Sequence, residues 1–175
     1  MKPLATALFA LAFSVAPAFA QNSAKSAPAK PLTVTIINAA AEPIGTATLS
    51  EAPHGVRITI DVKNLPPGPH LMHIHEFPKC QVPDFKSAGP HFNPQSTNGD
   101  SAMGPMAGDI PHFELTVAQN GTAHVSVVAP GVTMGNEPNS VFTNGGTSIV
   151  IHEVAKTVSD AAPPRIACAV IAKPK

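Results

Sequence analysis

From Leu32 onward, apolar and polar residues alternate over short stretches, and no stretch repeats an apolar residue at helical spacing. Alternation of this kind marks an extended chain with one buried face and one wet face. The runs are Leu32–Asn38, Ile44–Glu51, Val56–Val62, Leu71–Phe77, Phe113–Val117, Ala123–Val128, Ser148–His152 and Ile166–Ile171, separated by turn residues. They predict an all-β domain, a sandwich or flattened barrel of about eight antiparallel strands. Gln119-Asn120-Gly121-Thr122 joins two runs, and Asn-Gly predicts a hairpin there because both residues tolerate positive φ. Pro53-His54-Gly55 predicts a second tight turn.

Two segments break the pattern. Met1-Lys2, the apolar stretch Leu4–Val15 and Ala18-Phe19-Ala20 read as a signal peptide over residues 1–20. The apolar stretch is shorter than the roughly 20 residues of a membrane-spanning helix, and no second one follows. Residues 21–31 are small, polar and proline-punctuated, a flexible linker before a single domain at 32–175. The second break is Pro78–Pro111, rich in Pro, Gly, Ser and Asn and without periodicity. A loop of that length inside a compact domain serves a function or is disordered; a cysteine and a histidine within it favour function.

Composition narrows the partners. Formal charge is +0, the lysines are scattered, and Trp and Tyr are absent. Nucleic acid and membrane surfaces are therefore excluded as partners. Export to the periplasm, or secretion otherwise, places Cys80 and Cys168 where disulfides persist. Pairing is the default reading and two thiolate metal ligands the alternative.

The chemistry lies in the histidines. His73 and His75 flank Ile74 in a strand-like run, so both imidazoles project from one face and can bind one metal, while Ile74 points into the core. An isolated H-x-H is equally a pair of polar residues on a solvated face. Its company is more specific: His75-Glu76-Phe77, then Cys80, Ala88-Gly89-Pro90-His91-Phe92-Asn93-Pro94, Ile151-His152-Glu153 and Arg165-Ile166-Ala167-Cys168.

This ordered set resembles the Cu/Zn superoxide dismutases, in the bacterial branch, over nearly all of the chain from Leu32. The resemblance implies a Greek-key barrel with a long metal-site loop and one copper ion held by His73, His75, His91 and His152. It implies a Cys80–Cys168 disulfide, with Arg165 at the mouth of the copper site steering the superoxide anion. Four imidazoles suit a metal that cycles between Cu(II) and Cu(I).

The family's zinc site is where this sequence departs from the pattern. Gln95–Gly108 contains no histidine; Asp109 matches the zinc aspartate, Met106 stands where one zinc histidine belongs, and the other falls near Asn98 or Gly99. Two such ligands are too few for tetrahedral zinc, so zinc is not expected and the chain looks like the copper-only variants. The stretch after His152 is shorter than the family's charged guiding loop, and Lys156 replaces an aspartate that links the two metal sites. Asp109 is then expected to accept the far ring N–H of His91. His54, His112 and His124 read as surface residues, and His70 as a structural histidine bonded to backbone. Met72 and Met134 read as core fillers, whereas Met103 and Met106, in a Gly-Pro loop with little core to fill, are candidate Cu(I) contacts.

Two functional readings follow, with a third ranked last. In one the protein is a superoxide dismutase: copper takes an electron from one superoxide and gives one to a second, while His91 leaves the metal and delivers a proton. In the other it is a non-enzymatic copper-binding or copper-delivery protein on the same fold. The third is a structural sandwich with a vestigial site. Oligomeric state stays open, with a homodimer among the options.

Overall fold

In Gly55–Val62 every second residue, Val56, Ile58, Ile60 and Val62, is buried, and the intervening Arg57 and Asp61 face solvent. The same logic builds the rest of a computed structural model that describes residues 30–95, 106–111, 113–153 and 163–174. Its strands are β1 (Leu32–Asn38), β2 (Pro43–Ala52), β3 (Gly55–Val62), β4 (Gly68–His75), β5 (Leu115–Val117), β6 (Ala123–Ala129), β7 (Thr147–Glu153) and β8 (Arg165–Ile171). Residues 1–29, which hold the expected signal peptide and most of the expected linker, lie outside the described residues.

All eight strands form one antiparallel sheet in the order β5-β4-β7-β8-β1-β2-β3-β6. β5 and β6 are consecutive in the chain yet lie at opposite edges, so the sheet rolls into a nearly closed Greek-key barrel. The Asn120-Gly121 turn forms as expected, with Ala118 N–H donating to the Thr122 carbonyl at 2.9 Å. The hairpin expected beyond it does not. β5 pairs with β4 and β6 with β3, and the turn is instead the corner where the two edges of the rolled sheet meet.

Strand limits also shift. β4 starts earlier than the apolar pattern suggests, because Gly68 and Pro69 pair with Val117 and Thr116. It stops at His75 rather than Phe77, because the N–H groups of Glu76 and Phe77 turn to the carbonyls of Pro90 and Ala88 in the long loop. β5 begins at Leu115 and not Phe113.

β7 is buried on both faces. Ile149 and Ile151 enter the main core with Ile36, Leu49, Ile58, Ile74 and Leu115, while Val150 lies on the outer side against Phe85, Ala88 and Cys168. The long loop thus covers the outside of β7 and β8 and is fastened there by a Cys80–Cys168 disulfide with a Cα–Cα distance of 5.7 Å. On the chain-entropy view, a bridge spanning 88 residues stabilises by about 4 to 5 kcal/mol.

Candidate metal centre

β4 and β7 run side by side, with Leu71 opposite His152, His73 opposite Val150 and His75 opposite Ser148. Strand alternation turns His73, His75 and His152 outward together and sends Met72 and Ile74 into the core. His91 arrives from the long loop through a bridge to His75. One ring nitrogen from each of the four lies within 4.8 Å of every other. Ring centroids are separated by between 4.1 Å (His73 and His91) and 6.5 Å (His73 and His75).

Hydrogen bonds fix which nitrogens point inward. Nδ1 of His75 faces the Gly89 carbonyl at 2.9 Å, Nδ1 of His152 faces the Pro163 carbonyl at 3.3 Å, and Nδ1 of His91 faces Oδ1 of Asp109 at 2.8 Å. A carbonyl or carboxylate oxygen only accepts, so each Nδ1 carries the hydrogen and each Nε2 presents a lone pair. Nε2 of His75 lies 3.1 Å from Nε2 of His152, so two lone pairs are turned on each other. His73 completes the set with a buried Nδ1 that has no partner among the described residues. A buried, unpaired nitrogen beside two lone pairs turned on each other is costly without a cation among them. The donor set fits a transition metal that prefers imidazole, copper among them.

Burial keeps three of these rings, His73, His75 and His152, neutral. Burial lowers the pKa of His75 to about 3, against the opposing pull of its Gly89 hydrogen bond; the Arg165 charge lowers it further. His73 falls to about 4, through burial and the neighbouring His91 and His152. His152 falls to about 4, again mainly through burial, with its Pro163 contact opposing. Neutral imidazole is the form that binds metal.

The loop is held by backbone as much as by the disulfide. Gly108 N–H donates to the Phe92 carbonyl at 2.8 Å, Phe92 N–H to the Ile74 carbonyl at 2.8 Å, and Ile74 N–H to the Gly108 carbonyl at 2.9 Å. This three-way exchange sets His91 and Asp109 beside the His73/His75 pair. The second oxygen of Asp109 accepts from Met106 N–H at 2.8 Å, so both carboxylate oxygens are engaged.

Arg165 begins β8 opposite His152. Its Nη1 donates to the Phe85 carbonyl at 2.9 Å and its Nη2 to the Gly89 carbonyl at 2.7 Å. Partial burial lowers the guanidinium pKa and Asp84 opposes the effect; an arginine remains charged regardless.

The other predicted residues separate. Met106 is half-buried and lines, with Asp109, Asn93, Pro94, Ala107 and Asn139, a surface cavity of about 570 Å³. Met103, Asn98, Gly99, His112 and Lys156 lie outside the described residues. His54 occupies the β2–β3 turn with φ 66°, and His124 is exposed, 3.3 Å from Asp61. His70 is buried, its two ring nitrogens against the carbonyls of Pro66 at 2.8 Å and His152 at 3.1 Å. Met72 and Met134 are core residues. Sequence reasoning missed Phe85 and the carbonyl of Gly89: an apolar loop residue and a backbone oxygen carry no pattern that marks them.

Comparison with known proteins agrees with this geometry. Residues 43–171 match the family described as copper/zinc superoxide dismutase (SODC). Superoxide dismutase (Cu-Zn) 1 of Aquifex aeolicus is 40% identical over 144 residues, covering 78% of this chain and 84% of the relative. The superoxide dismutase-like protein YojM of Bacillus subtilis is 34% identical over 128 residues, covering 70% of this chain and 64% of that one. Among solved structures, a SOD-like protein from Bacillus subtilis superposes with a TM-score of 0.68 at 28% identity, covering 79% of this chain and 96% of the other. The Cu/Zn superoxide dismutase from Brucella abortus gives a TM-score of 0.60 at 28% identity, over 81% and 99%.

Proposed function

The chain belongs to the copper/zinc superoxide dismutase family, and on that premise we propose that it is an exported superoxide dismutase working with copper alone. The convergence of four imidazole lone pairs beside an anchored arginine carries this reading. His73 through Nδ1, and His75, His91 and His152 through Nε2, are the proposed copper ligands. Copper held there would supply one-electron redox chemistry toward superoxide.

The residues supply the rest. Arg165 presents a fixed planar cation that attracts a small anion and hydrogen-bonds it. His91 keeps its Nδ1–H on Asp109, so Nε2 is the atom that would hold the metal or carry a proton. Asp109 spends both oxygens on His91 and on Met106 N–H. That arrangement supports a role in orienting His91 in place of binding zinc. Together with the histidine-free Gln95–Gly108 stretch, it supports the copper-only reading.

Copper-loaded protein assayed for superoxide consumption tests the proposal, with Arg165→Ala and His152→Ala as controls. Turnover well above that of free copper, declining as ionic strength rises, is the expected result. A rate no greater than free copper identifies a copper-binding or copper-delivery protein instead. Metal analysis of the native protein tests the zinc reading: one copper and no zinc is expected.

A further inference from the structure

We propose that Met106 is an oxidation site through which hydrogen peroxide, the product of superoxide dismutation, loosens the hold on copper. Among the methionines of the described residues, Met72 and Met134 are core side chains, 1% and 6% exposed, and Met106 alone is half-buried. It lines the surface cavity of about 570 Å³ beside Ala107, Pro94, Pro130 and Pro138, a space that admits a small oxidant. The four proposed copper ligands are all imidazoles, so the thioether is free for other chemistry. Two superoxide anions and two protons yield one O2 and one peroxide. The dismutase reading thus supplies the oxidant, and the inference rests on it.

The backbone of Met106 is tied to the site. Its N–H donates to Oδ2 of Asp109 at 2.8 Å, and the Asp109 N–H returns a bond to the Met106 carbonyl at 3.0 Å. Oδ1 of the same carboxylate accepts from Nδ1 of His91 at 2.8 Å, so one side chain separates Met106 from a proposed ligand. Peroxide attacks the thioether sulfur: an S–O bond forms, the O–O bond breaks and water leaves, with the sulfur giving up the two electrons that the peroxide gains. The resulting sulfoxide is polar and needs hydrogen-bond donors. Much of the cavity wall has none to give, because proline lacks an N–H and Nδ2 of Asn139 already donates to the Gly131 carbonyl at 2.8 Å. The oxidised side chain therefore turns to water, the Met106–Asp109 turn opens, and His91 loses a fixed partner.

The test treats the mature, metal-free protein with hydrogen peroxide, so that no copper-driven damage reaches the histidines, and then loads it with copper. Peptide mass spectrometry locates the added oxygen, and competition with a chelator measures copper affinity. Met106 is expected to oxidise roughly tenfold faster than Met72 and Met134, since susceptibility follows exposure. Copper affinity should fall roughly tenfold, as when a ligand's hydrogen-bond partner is lost, and recover once methionine sulfoxide reductases remove the oxygen. Met106→Leu keeps the backbone bonds and an apolar side chain but has no sulfur, so its affinity should be the same before and after peroxide. Met106→Gln, polar as the sulfoxide is, should show the loss without peroxide. Met103→Leu should respond as the unaltered protein does.

Oxidation of Met106 no faster than that of Met72, a sulfoxide that leaves copper affinity untouched, an equal loss in Met106→Leu, or a response that vanishes in Met103→Leu overturns the inference. If Met106→Leu fails to fold, Met106→Gln and the recovery by reductases decide it. Superoxide consumption by the untreated, copper-loaded protein is measured alongside. A rate no greater than that of free copper ends the dismutase reading, and the response to added peroxide still decides whether Met106 is an oxidation site.

Discussion

His75 and Arg165 donate to the same oxygen atom, the carbonyl of Gly89, at 2.9 and 2.7 Å. A proposed metal ligand and an anchored cation are thus oriented by one loop residue. That residue adopts φ 78° and ψ −158°, open only to glycine. An added Cβ would also come within 2.6 Å of the Phe77 ring, which is part-exposed and able to move; the backbone is the greater obstacle.

Gly89→Ala should therefore weaken copper binding and anion attraction together. Copper affinity is expected to fall roughly tenfold, as when a ligand's hydrogen-bond partner is lost. Competition with a chelator measures the first effect, and the salt dependence of superoxide consumption measures the second. If only one of the two changes, the shared oxygen is not what couples them.

Asp109→Ala removes the acceptor for the His91 N–H and the tie to Met106. Copper affinity should fall by about 10- to 100-fold, and Asp109→Asn, which keeps a carbonyl acceptor, should recover part of it. Unchanged affinity and an unchanged His91 NMR signature in Asp109→Ala would mean that the carboxylate does not orient the ring.

The metal-free protein should lose stability as pH falls. In the unfolded chain His73, His75 and His152 take up protons near 6.5, whereas in the fold they do so only near 3 to 4. Between those limits the unfolded chain binds more protons, so stability rises with pH there and is fully present above about 6.5. Urea midpoints at about pH 7.5 and about pH 4.5 should differ accordingly, and His75→Gln should reduce the difference. Bound copper should move the loss to lower pH, because it holds the neutral rings.

Replacing both Cys80 and Cys168 by serine should lower stability by up to about 4 to 5 kcal/mol. It should also loosen the Phe85 carbonyl from Arg165, since Cys80 and Cys168 pack around the Phe85 ring. Denaturation reports the first effect and hydrogen exchange of the Arg165 side-chain N–H the second. Native exchange in the serine variant would show that the loop holds its shape without the bridge.

The barrel was legible because its strands obey the period-two rule, and the four-histidine set because the motifs that carry it resemble those of a known family. His73 and His75 announce a common face by their spacing alone. What was not legible lies where the chain has no period. The apolar run through Phe77 reads as strand, yet its N–H bonds to the loop carbonyl of Ala88. The Asn120-Gly121 signal specifies a turn, but strand partners are chosen by the whole sheet, and β3 and β4 claimed the two strands it joins. Phe85 reads as an ordinary apolar loop residue; only its carbonyl gives it a role.

Ile74, between two imidazoles, makes β4 a two-sided element whose inner side is hydrocarbon and whose outer side is nitrogen. A slip of this strand by one residue against β7 would turn both imidazoles inward and Ile74 outward. A mispaired chain would then be blind to copper, so stoichiometric uptake of the ion is in itself a readout of correct strand registration during folding.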